Sequence, residues 1–389
     1  MKTYIFYAVL ALVLLVYSGV NYYIFNHGWR ALAGTGNLRT VFVSVFIVIV
    51  VAYPLGRLIE AFDRGGVSNL LVWIGSFWLG ALMYFLLAVI AIDLGRLVLS
   101  AIPGCEKALR GNMVLLNRWL FGGVVAVVVM VLAFGYHNAL HPRVRTVKLS
   151  IDKRVPGLSG LHVVMVSDIH LGLIVDERRL ADIVARVNSL EPDLVLLVGD
   201  VIDEDIGSVV EQGMAATLSM LRAPHGVFAV TGNHEYIGGA EEAVRYIEKA
   251  GITVLRDTWR LVDDWFYLVG REDRMASFRG VRRKALDEIM AGVDLSKPVI
   301  LLDHQPLDLQ EAERARVDLQ LSGHTHHGQL FPINLITKLV YEQSWGYLER
   351  GSTQYYVSSG VGTWGPPVRV GNTPEIVSLV LRFGDSGSE

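Results

Sequence analysis

The chain has 389 residues, of which 52% are hydrophobic, and its formal net charge at pH 7 is −3. The charge is unevenly distributed: residues 1–142 hold nine Lys and Arg against four Asp and Glu, and the rest of the chain holds 26 against 34. These values exclude a strongly basic domain, so we expect no nucleic acid among the partners. An apolar part is followed by a more polar, acidic part.

Four apolar runs in the first part are each long enough for a helix across a bilayer, which needs roughly 20 residues. They cover about residues 4–25, 40–59, 70–92 and 119–140. The sequence therefore predicts a four-helix transmembrane region over residues 1–142, with membrane lipids as partners. The alternative, a set of buried core helices, does not fit so few charged residues.

The polar part begins with a predicted linker over residues 143–160, continues as a folded domain over 161–383, and ends in a flexible tail over 384–389. Short apolar runs typical of buried strands alternate at first with segments of helical spacing and later follow one another more closely. The strands are predicted at 161–167, 193–198, 226–230, 299–302, 319–321, 354–358 and 376–381, and helices at 177–190, 209–221 and 239–250. This order predicts an α/β domain with mixed sheets and flanking helices.

Polar side chains follow the ends of five predicted strands, and three of them come directly after a glycine. They are Asp168 and His170, then Asp200, then Asn233 and His234, then His304, and finally His324 and His326. Side chains at the carboxyl ends of successive strands converge on one edge of a sheet, and glycine lets the backbone turn sharply there. Carboxylates, imidazoles and an amide are suitable ligands for a pair of divalent metals such as Mn, Fe or Zn.

These motifs resemble the calcineurin-like metallophosphoesterase superfamily, whose pattern is D-x-H, GDxxD, GNH[DE], a lone H, and GHxH. All five blocks occur here in order, and the resemblance covers about residues 160–382. Within the superfamily the chain looks most like the membrane-anchored bacterial group of YkuE-like and YaeI-like proteins. It shares their GHTH segment and their final Arg and Pro-Glu, here Arg369 and Glu375, but has His327 where that group has Gly.

The resemblance implies a four-layer α-β-β-α sandwich with a two-metal site. One metal would take Asp168, His170, Asp200 and His326, and the other Asp200, Asn233, His304 and His324, with Asp200 bridging the two. It also implies hydrolysis by a hydroxide that bridges the metals and attacks phosphorus. His234 would stabilise the transition state or protonate the leaving group, with Glu235 or a neighbour orienting it. Asp203 would contact a metal-binding side chain and orient it without binding the metal itself.

Four further residues are expected to bind substrate: His327, Arg369, Arg282 and Arg283. His327 would shape the rim of the site or add an acid/base group. The basic stretch 271–284 is either a solvated surface or a contact for lipid phosphates. The apolar segment 331–341 is either a core helix or a lip that touches the bilayer or an acyl chain.

The leading functional hypothesis is a membrane-anchored, metal-dependent hydrolase that cleaves a phosphodiester or pyrophosphate bond of a lipid-linked substrate, with UDP-2,3-diacylglucosamine as the specific candidate. Two alternatives stay open: a phosphoesterase acting on a soluble nucleotide or phosphoprotein, and an inactive membrane assembly or sensor protein. An even number of spans puts the N-terminus and the folded domain on one side of the membrane. Six Lys and Arg fall on each side, so charge does not decide the orientation. We expect a multi-pass protein of a bacterial inner or plasma membrane with a cytoplasmic catalytic domain.

Overall fold

The computed structural model describes residues 2–103 and 113–384. The chain forms two compact units, residues 1–135 with 365–367 and residues 136–364 with 368–389. The second unit therefore begins before residue 142, where the sequence predicted the end of the apolar part. Most of the predicted tail, residues 385–389, lies outside the described residues.

The first unit is helical, and its described residues form four long helices. They are α1 (Lys2–Ala31), α2 (Asn37–Glu60), α3 (Gly66–Ser100) and α4 (Met113–Ala139). Each contains a segment long and apolar enough to cross a membrane. All four extend beyond the predicted apolar runs, because charged residues such as Arg30 and Arg96 continue the helix past its apolar part.

Close packing and one buried hydrogen bond hold this unit together. Gly75 of α3 lies so near the backbone of Tyr53 in α2 that a Cβ atom at this position would clash. Small residues allow such close approach between helices in a membrane. Trp78 donates its indole N–H to Asn21 Oδ1 at 3.0 Å, which satisfies two buried polar groups that have no access to water.

The second unit contains two six-stranded sheets. The strands are β1 (Arg143–Ile151), β2 (Gly160–Val166), β3 (Leu194–Val198), β4 (Val227–Val230), β5 (Thr253–Val254), β6 (Thr258–Val262), β7 (Phe266–Gly270), β8 (Val299–Leu302), β9 (Leu319–Ser322), β10 (Gly346–Arg350), β11 (Thr353–Val357) and β12 (Glu375–Phe383). One sheet has the order β1-β12-β2-β3-β4-β5 and the other β10-β11-β9-β8-β7-β6. Strands β2 to β5 are parallel to one another, as are β7, β8, β9 and β11.

The central strands are buried on both faces, which explains why they appear in the sequence as continuous apolar runs. In β2, Val163 and Met165 contribute to an apolar core that also contains Leu268 and Ile300 of the second sheet. The alternate residues of β2, Val164 among them, face a second core formed with helices. The second sheet has its own core on its other face. The predicted four-layer α-β-β-α sandwich is therefore confirmed.

The helices of this unit are mostly short. They are α5 (Glu177–Ser189), α6 (Ile206–Glu211), α7 (Met214–Leu218), α8 (Asn233–Gly238), α9 (Ala240–Lys249), α10 (Met275–Phe278), α11 (Leu286–Ile289), α12 (Gln310–Arg314) and α13 (Ile333–Val340). Asp176 caps α5 by accepting a hydrogen bond from the backbone N–H of Arg179, at 3.0 Å. The single helix predicted over 209–221 was wrong, because Gly213 has a φ of 67° and separates α6 from α7.

The predicted linker over residues 143–160 was also wrong. Residues 143–151 form β1, which pairs in parallel with β12 along nine residues at the edge of the first sheet. Only Leu149 and Ile151 of this strand are buried, and its other residues are wholly or partly exposed. An edge strand with so few buried residues lacks the continuous apolar run by which the central strands were recognised.

Candidate metal centre

The carboxyl ends of five parallel strands supply the predicted site residues. Asp168 and His170 follow β2, and Asp200 follows β3. Asn233 and His234 begin α8 just after β4, His304 follows β8, and His324 and His326 follow β9. The two sheets therefore bring their strand ends to one place.

The backbone at these positions is unusual. Five of the residues have a left-handed φ between 47° and 71°: Asp168, His170, Asp200, His324 and His326. Each such conformation costs on the order of 1–3 kcal/mol for a residue with a side chain and persists only when its surroundings enforce it. Here backbone hydrogen bonds do so, since Asp168 donates its N–H to Gly199 O at 3.1 Å and His170 donates to Asp200 O at 3.0 Å.

The first cluster contains Asp168, His170 and His326, all buried. One ligand atom from each lies within 4.8 Å of the others. The two Nε2 atoms of His170 and His326 are 2.9 Å apart, and His326 Nε2 is 3.5 Å from Asp168 Oδ1. Gly323 allows this arrangement, because a Cβ atom there would collide with the Asp168 carboxylate. These three groups could hold one cation.

The second cluster contains Asp200, His304 and His324. His304 Nε2 lies 3.0 Å from Asp200 Oδ2. The Asn233 side chain joins this group, because its Oδ1 is 2.8 Å from His324 Nδ1. One carboxylate, two imidazoles and an amide oxygen could hold a second cation.

Asp200 connects the two clusters. Its Oδ2 atom, which faces His304, is also 3.8 Å from His170 Nε2 in the first cluster. Its Oδ1 atom accepts a hydrogen bond from the backbone N–H of His234 at 2.8 Å, which fixes the carboxylate. A carboxylate placed between two ligand sets is the usual arrangement of a two-metal site, with the metals about 3.5–4 Å apart.

The ring nitrogens that face away from the clusters are held by other groups. His304 Nδ1 lies 2.8 Å from Val198 O, which can only accept, so this nitrogen carries the proton and Nε2 keeps its lone pair for a ligand. His170 Nδ1 lies 3.4 Å from Asp203 Oδ1. Such partners orient metal-binding histidines and raise their basicity.

The donor set fits a divalent metal. Asp168 Oδ2 is buried and has no hydrogen-bond partner among the described residues, although buried polar atoms normally have one. Burial lowers the pKa of His324 to about 3. Burial and the Arg369 guanidinium likewise hold the pKa of His326 well below its usual value. Both rings are therefore neutral at pH 7, as metal ligands must be.

His234 lies beside the two clusters, and its Nδ1 atom is 2.8 Å from Asp203 Oδ1. Its ring makes an edge contact with the ring of His170, with centroids 4.5 Å apart. Burial disfavours a charged ring here, but the hydrogen bond to Asp203 and the charges of Asp200 and Asp203 outweigh it and raise the pKa of His234 to about 9. A protonated imidazole in this position can donate a proton to a bound substrate.

The catalytic role expected of Glu235 stays a prediction, and its contacts show a positioning role. Its carboxylate is buried and accepts hydrogen bonds from the backbone N–H groups of Gly232, Asp200 and Ile202, at 2.7, 3.1 and 2.9 Å. These bonds use both oxygens to tie the loop after β3 to the start of α8. Glu235 therefore positions Asp200, whereas Asp203 orients His234.

Substrate binding by Arg369 and His327 stays a prediction, and the structure shows what each side chain contacts. Arg369 is fully buried, and its guanidinium donates to Ser359 O at 2.6 Å, to Gly362 O at 2.6 Å and toward His326 Nδ1 at 3.0 Å. His327 is also buried, and its ring packs on that of Trp345 with centroids 5.1 Å apart. Both side chains therefore contact and stabilise the loops that carry the site.

The two arginines predicted to bind substrate, Arg282 and Arg283, pair with acidic residues outside the two clusters. Arg283 donates to Asp303 Oδ2 and to Glu272 O, each at 2.7 Å, and is nearly buried. Arg282 is exposed and pairs with Glu288 at 2.8 Å. The run of basic residues in the sequence does not indicate that these two arginines pair with acidic residues of the same chain.

Two aromatic residues near the site were missed as functional candidates. Trp364 is 52% exposed, and its ring centroid lies 5.8 Å from that of His234. Tyr341 lies 6.1 Å from His324 by the same measure. Neither belongs to a metal-binding motif, and only the folded chain shows that they flank the clusters.

A family model described as calcineurin-like phosphoesterase matches residues 161–328, which include all the residues of both clusters. A metallophosphoesterase of Campylobacter jejuni is 30% identical over 375 residues, covering 95% of this chain and 97% of that protein. The chain therefore belongs to the calcineurin-like metallophosphoesterase family. The described part of the chain also contains four helices that are long and apolar enough to cross a membrane.

Other relatives match about two thirds of the chain or less. A metallophosphoesterase of Helicobacter pylori is 35% identical over 248 residues, covering 63% of this chain and 65% of that protein. A transmembrane protein with a metallophosphoesterase domain from Danio rerio is 34% identical over 263 residues, covering 64% of this chain and 60% of that protein. The chain thus spans slightly less than two thirds of these two relatives.

Proposed function

We propose that the protein is a membrane-anchored, metal-dependent phosphoesterase that hydrolyses a phosphodiester or pyrophosphate bond of a lipid-linked substrate. The observation that carries the proposal is the pair of buried ligand clusters joined by Asp200. Family membership supports a phosphate ester as substrate. The apolar surface beside the clusters supports a lipid.

In this proposal Asp168, His170 and His326 hold one divalent metal, Asn233, His304 and His324 hold the other, and Asp200 is shared. Mn²⁺, Fe²⁺ and Zn²⁺ all suit this donor set. When bound, the metals supply an activated water and offset the negative charge of the phosphate. The chain's own contribution is to fix the ligands and to place a protonated His234 near the leaving oxygen.

His234 is suited to act as the leaving-group acid. Asp203 holds its Nδ1, so the Nε2 edge of the ring is left to meet a substrate. Asp203 itself is only partly exposed, and its carboxylate is shared between His234 and His170. The pKa of Asp203 is lowered because these two hydrogen bonds outweigh the effect of burial. A permanently ionised Asp203 keeps His234 protonated.

The proposed lipid specificity rests on α13, which follows the GHTH segment. The sequence left open whether residues 331–341 form a core helix, and the structure shows that they do not. Asn334 is the buried residue of this helix, while Leu335, Ile336 and Leu339 are 52%, 57% and 88% exposed. An amphipathic helix with such a surface is suited to an acyl chain or a membrane interface. Tyr341 links the end of this segment to His324.

A soluble nucleotide is the second candidate substrate, and Trp364 favours it. Its half-exposed ring beside His234 could stack on a base, an interaction worth about 1–3 kcal/mol. The two candidates differ in whether the surface of α13 matters for turnover. For localisation we propose a bacterial inner or plasma membrane with the catalytic unit in the cytoplasm, an orientation that the even number of candidate spans permits.

The test compares two rates of the full-length protein in vesicles. One substrate is UDP-2,3-diacylglucosamine in the bilayer, and the other is a small soluble chromogenic phosphodiester. Leu335→Ser combined with Leu339→Ser should lower the ratio of lipid to soluble rate by roughly tenfold or more, since burying a leucine is worth about 1.5–3 kcal/mol. Val210→Ser is the matched control, because Val210 is a similarly exposed residue on α6.

An unchanged ratio in the α13 variant would reject the lipid substrate and leave the soluble nucleotide. Trp364→Ala would then be expected to raise the KM for nucleotides while sparing the small chromogenic substrate. Absence of hydrolysis of every phosphoester by a protein shown to contain two metals would instead favour the inactive assembly or sensor protein.

A further inference from the structure

The helical unit contains a cavity of about 630 Å³ that opens between its four helices. Its volume lies within the usual range of ligand pockets, about 300–1,000 Å³. Every lining residue belongs to α1, α2, α3 or α4. The cavity is thus distinct in sequence from the metal centre, and the inference drawn from it does not rest on the proposed function.

Most of the cavity wall is apolar. Phe46 of α2, Trp78 and Ala81 of α3, and Val128 of α4 line it in the middle of the helices. The rings of Phe46 and Trp78 are in edge contact, with centroids 5.4 Å apart, and form a firm part of the wall. Such a surface offers only apolar contact, which suits a hydrocarbon chain.

One end of the cavity is polar and is lined by His27, Arg30, Arg96 and Asn117. Arg96 donates to Asn117 Oδ1 at 2.7 Å. Its other terminal nitrogen lies 3.4 Å from Asp93 Oδ1, and the Asp93 carboxylate also holds His27 at 3.1 Å. These contacts fix Arg96 at the wall of the cavity.

The polar end of the cavity still has hydrogen-bond donors that these contacts do not use. The Nε atom of Arg96 is buried and has no hydrogen-bond partner in the described part of the chain. Arg30 is exposed, and its guanidinium makes no hydrogen bond or ion pair with any described residue. Guanidinium groups bind phosphate strongly, because their donors match its oxygens in geometry and charge.

The charge of this end favours an anion. Arg30, Arg39, Arg96 and Arg118 lie near the ends of α1 and α3 and the starts of α2 and α4, against a single described acid, Asp93. When these helices span a bilayer, their ends lie at the level of the lipid headgroups. The cavity therefore leads from a cationic end at headgroup level to an apolar interior.

We propose that this cavity binds an anionic phospholipid, with an acyl chain between Phe46, Trp78 and Val128 and the phosphate at Arg30 and Arg96. Lipids that only surround the helices in the bilayer would not be selected for a negatively charged headgroup. A specifically bound lipid would both fill the space between the helices and neutralise the arginines at their ends.

The experiment uses full-length protein purified in detergent after equilibration with equal amounts of phosphatidylglycerol and phosphatidylcholine that carry the same acyl chains. Lipids retained by the protein are counted by mass spectrometry. The wild-type protein should retain phosphatidylglycerol in preference. Arg30→Gln should reduce that preference roughly fivefold, because one arginine near the membrane surface is worth about 1 kcal/mol. Since Arg30 has no partner in the described residues, this change should not disturb folding.

Two further variants separate a specific site from general attraction to the membrane. Val125→Phe places extra volume in the cavity wall and should reduce retention of both lipids. Arg64→Gln removes an arginine between α2 and α3, outside the cavity lining, and should leave retention and preference unchanged. Equal retention of the two lipids by the wild-type protein, or wild-type behaviour of Arg30→Gln or Val125→Phe, would overturn the proposal.

Discussion

The Asp203 carboxylate lies 2.8 Å from Nδ1 of His234, so a partly exposed acid holds a buried imidazole at the edge of the metal centre. The same Oδ1 atom is 3.4 Å from His170 Nδ1. One carboxylate thereby orients both a candidate metal ligand and the candidate proton donor.

We predict that His234→Asn retains most of the bound metal and loses turnover by about 10²–10⁴-fold, as expected for a lost general acid. His234 contributes no ligand atom to the two clusters assigned to metals, and its partner in the structure is Asp203. Metal content by elemental analysis and kcat on the same sample test this directly. If metal and turnover fell together, His234 would belong among the ligands.

Asp203→Asn is expected to shift the pH dependence of turnover. The protonated form of His234 is the active one, so activity should fall as pH rises through its pKa. Asp203 raises that pKa, and replacing its charge with an amide should lower it, moving the loss of activity to lower pH. The measurement is kcat against pH for the wild-type protein and the variant. Asp205→Asn, a change in the cap of α6, is the control and should leave the profile in place.

The purified protein should contain close to two divalent metals per chain, and Asp200→Asn and His324→Ala should lose metal and activity together. Asp200 lies between both clusters, so its variant should affect both metals, whereas His324→Ala should weaken mainly one. Elemental analysis after reconstitution with Mn²⁺, Fe²⁺ or Zn²⁺ measures this. Only trace metal in the wild-type protein under every condition would contradict the two-metal assignment.

The strand ends of the second unit show what a sequence can predict. Asp168 and Asp200 each follow a continuous apolar run, and parallel strands of one sheet must bring such residues to the same edge. The structure does place them there, while their role as ligands stays a prediction. The same reasoning could not find β1, because Leu149 and Ile151 are its only buried residues and the apolar pattern in its sequence is weak.

Site residues held by the backbone were harder to assign. Glu235 and Arg369 stand in or near the motifs and carry charges, which made them candidates for chemistry. In the folded chain Glu235 accepts three backbone N–H groups, and Arg369 donates to backbone carbonyls. Two of the partners of Glu235, Asp200 and Ile202, lie 35 and 33 residues away in sequence, so no local pattern points to them.

The internal role of Arg369 leads to the last prediction. Arg369→Met should lower the free energy of unfolding by about 3 kcal/mol or more, because several buried carbonyls lose a charged donor at once. Since the guanidinium also reaches His326 Nδ1, metal content should fall as well. Thermal unfolding and elemental analysis of the detergent-purified protein measure both effects. Arg382→Met, at an exposed position of β12, is the matched control and should change neither. A substrate-binding arginine would behave differently: stability and metal would be kept and KM would rise, and that result would restore the role expected from the sequence.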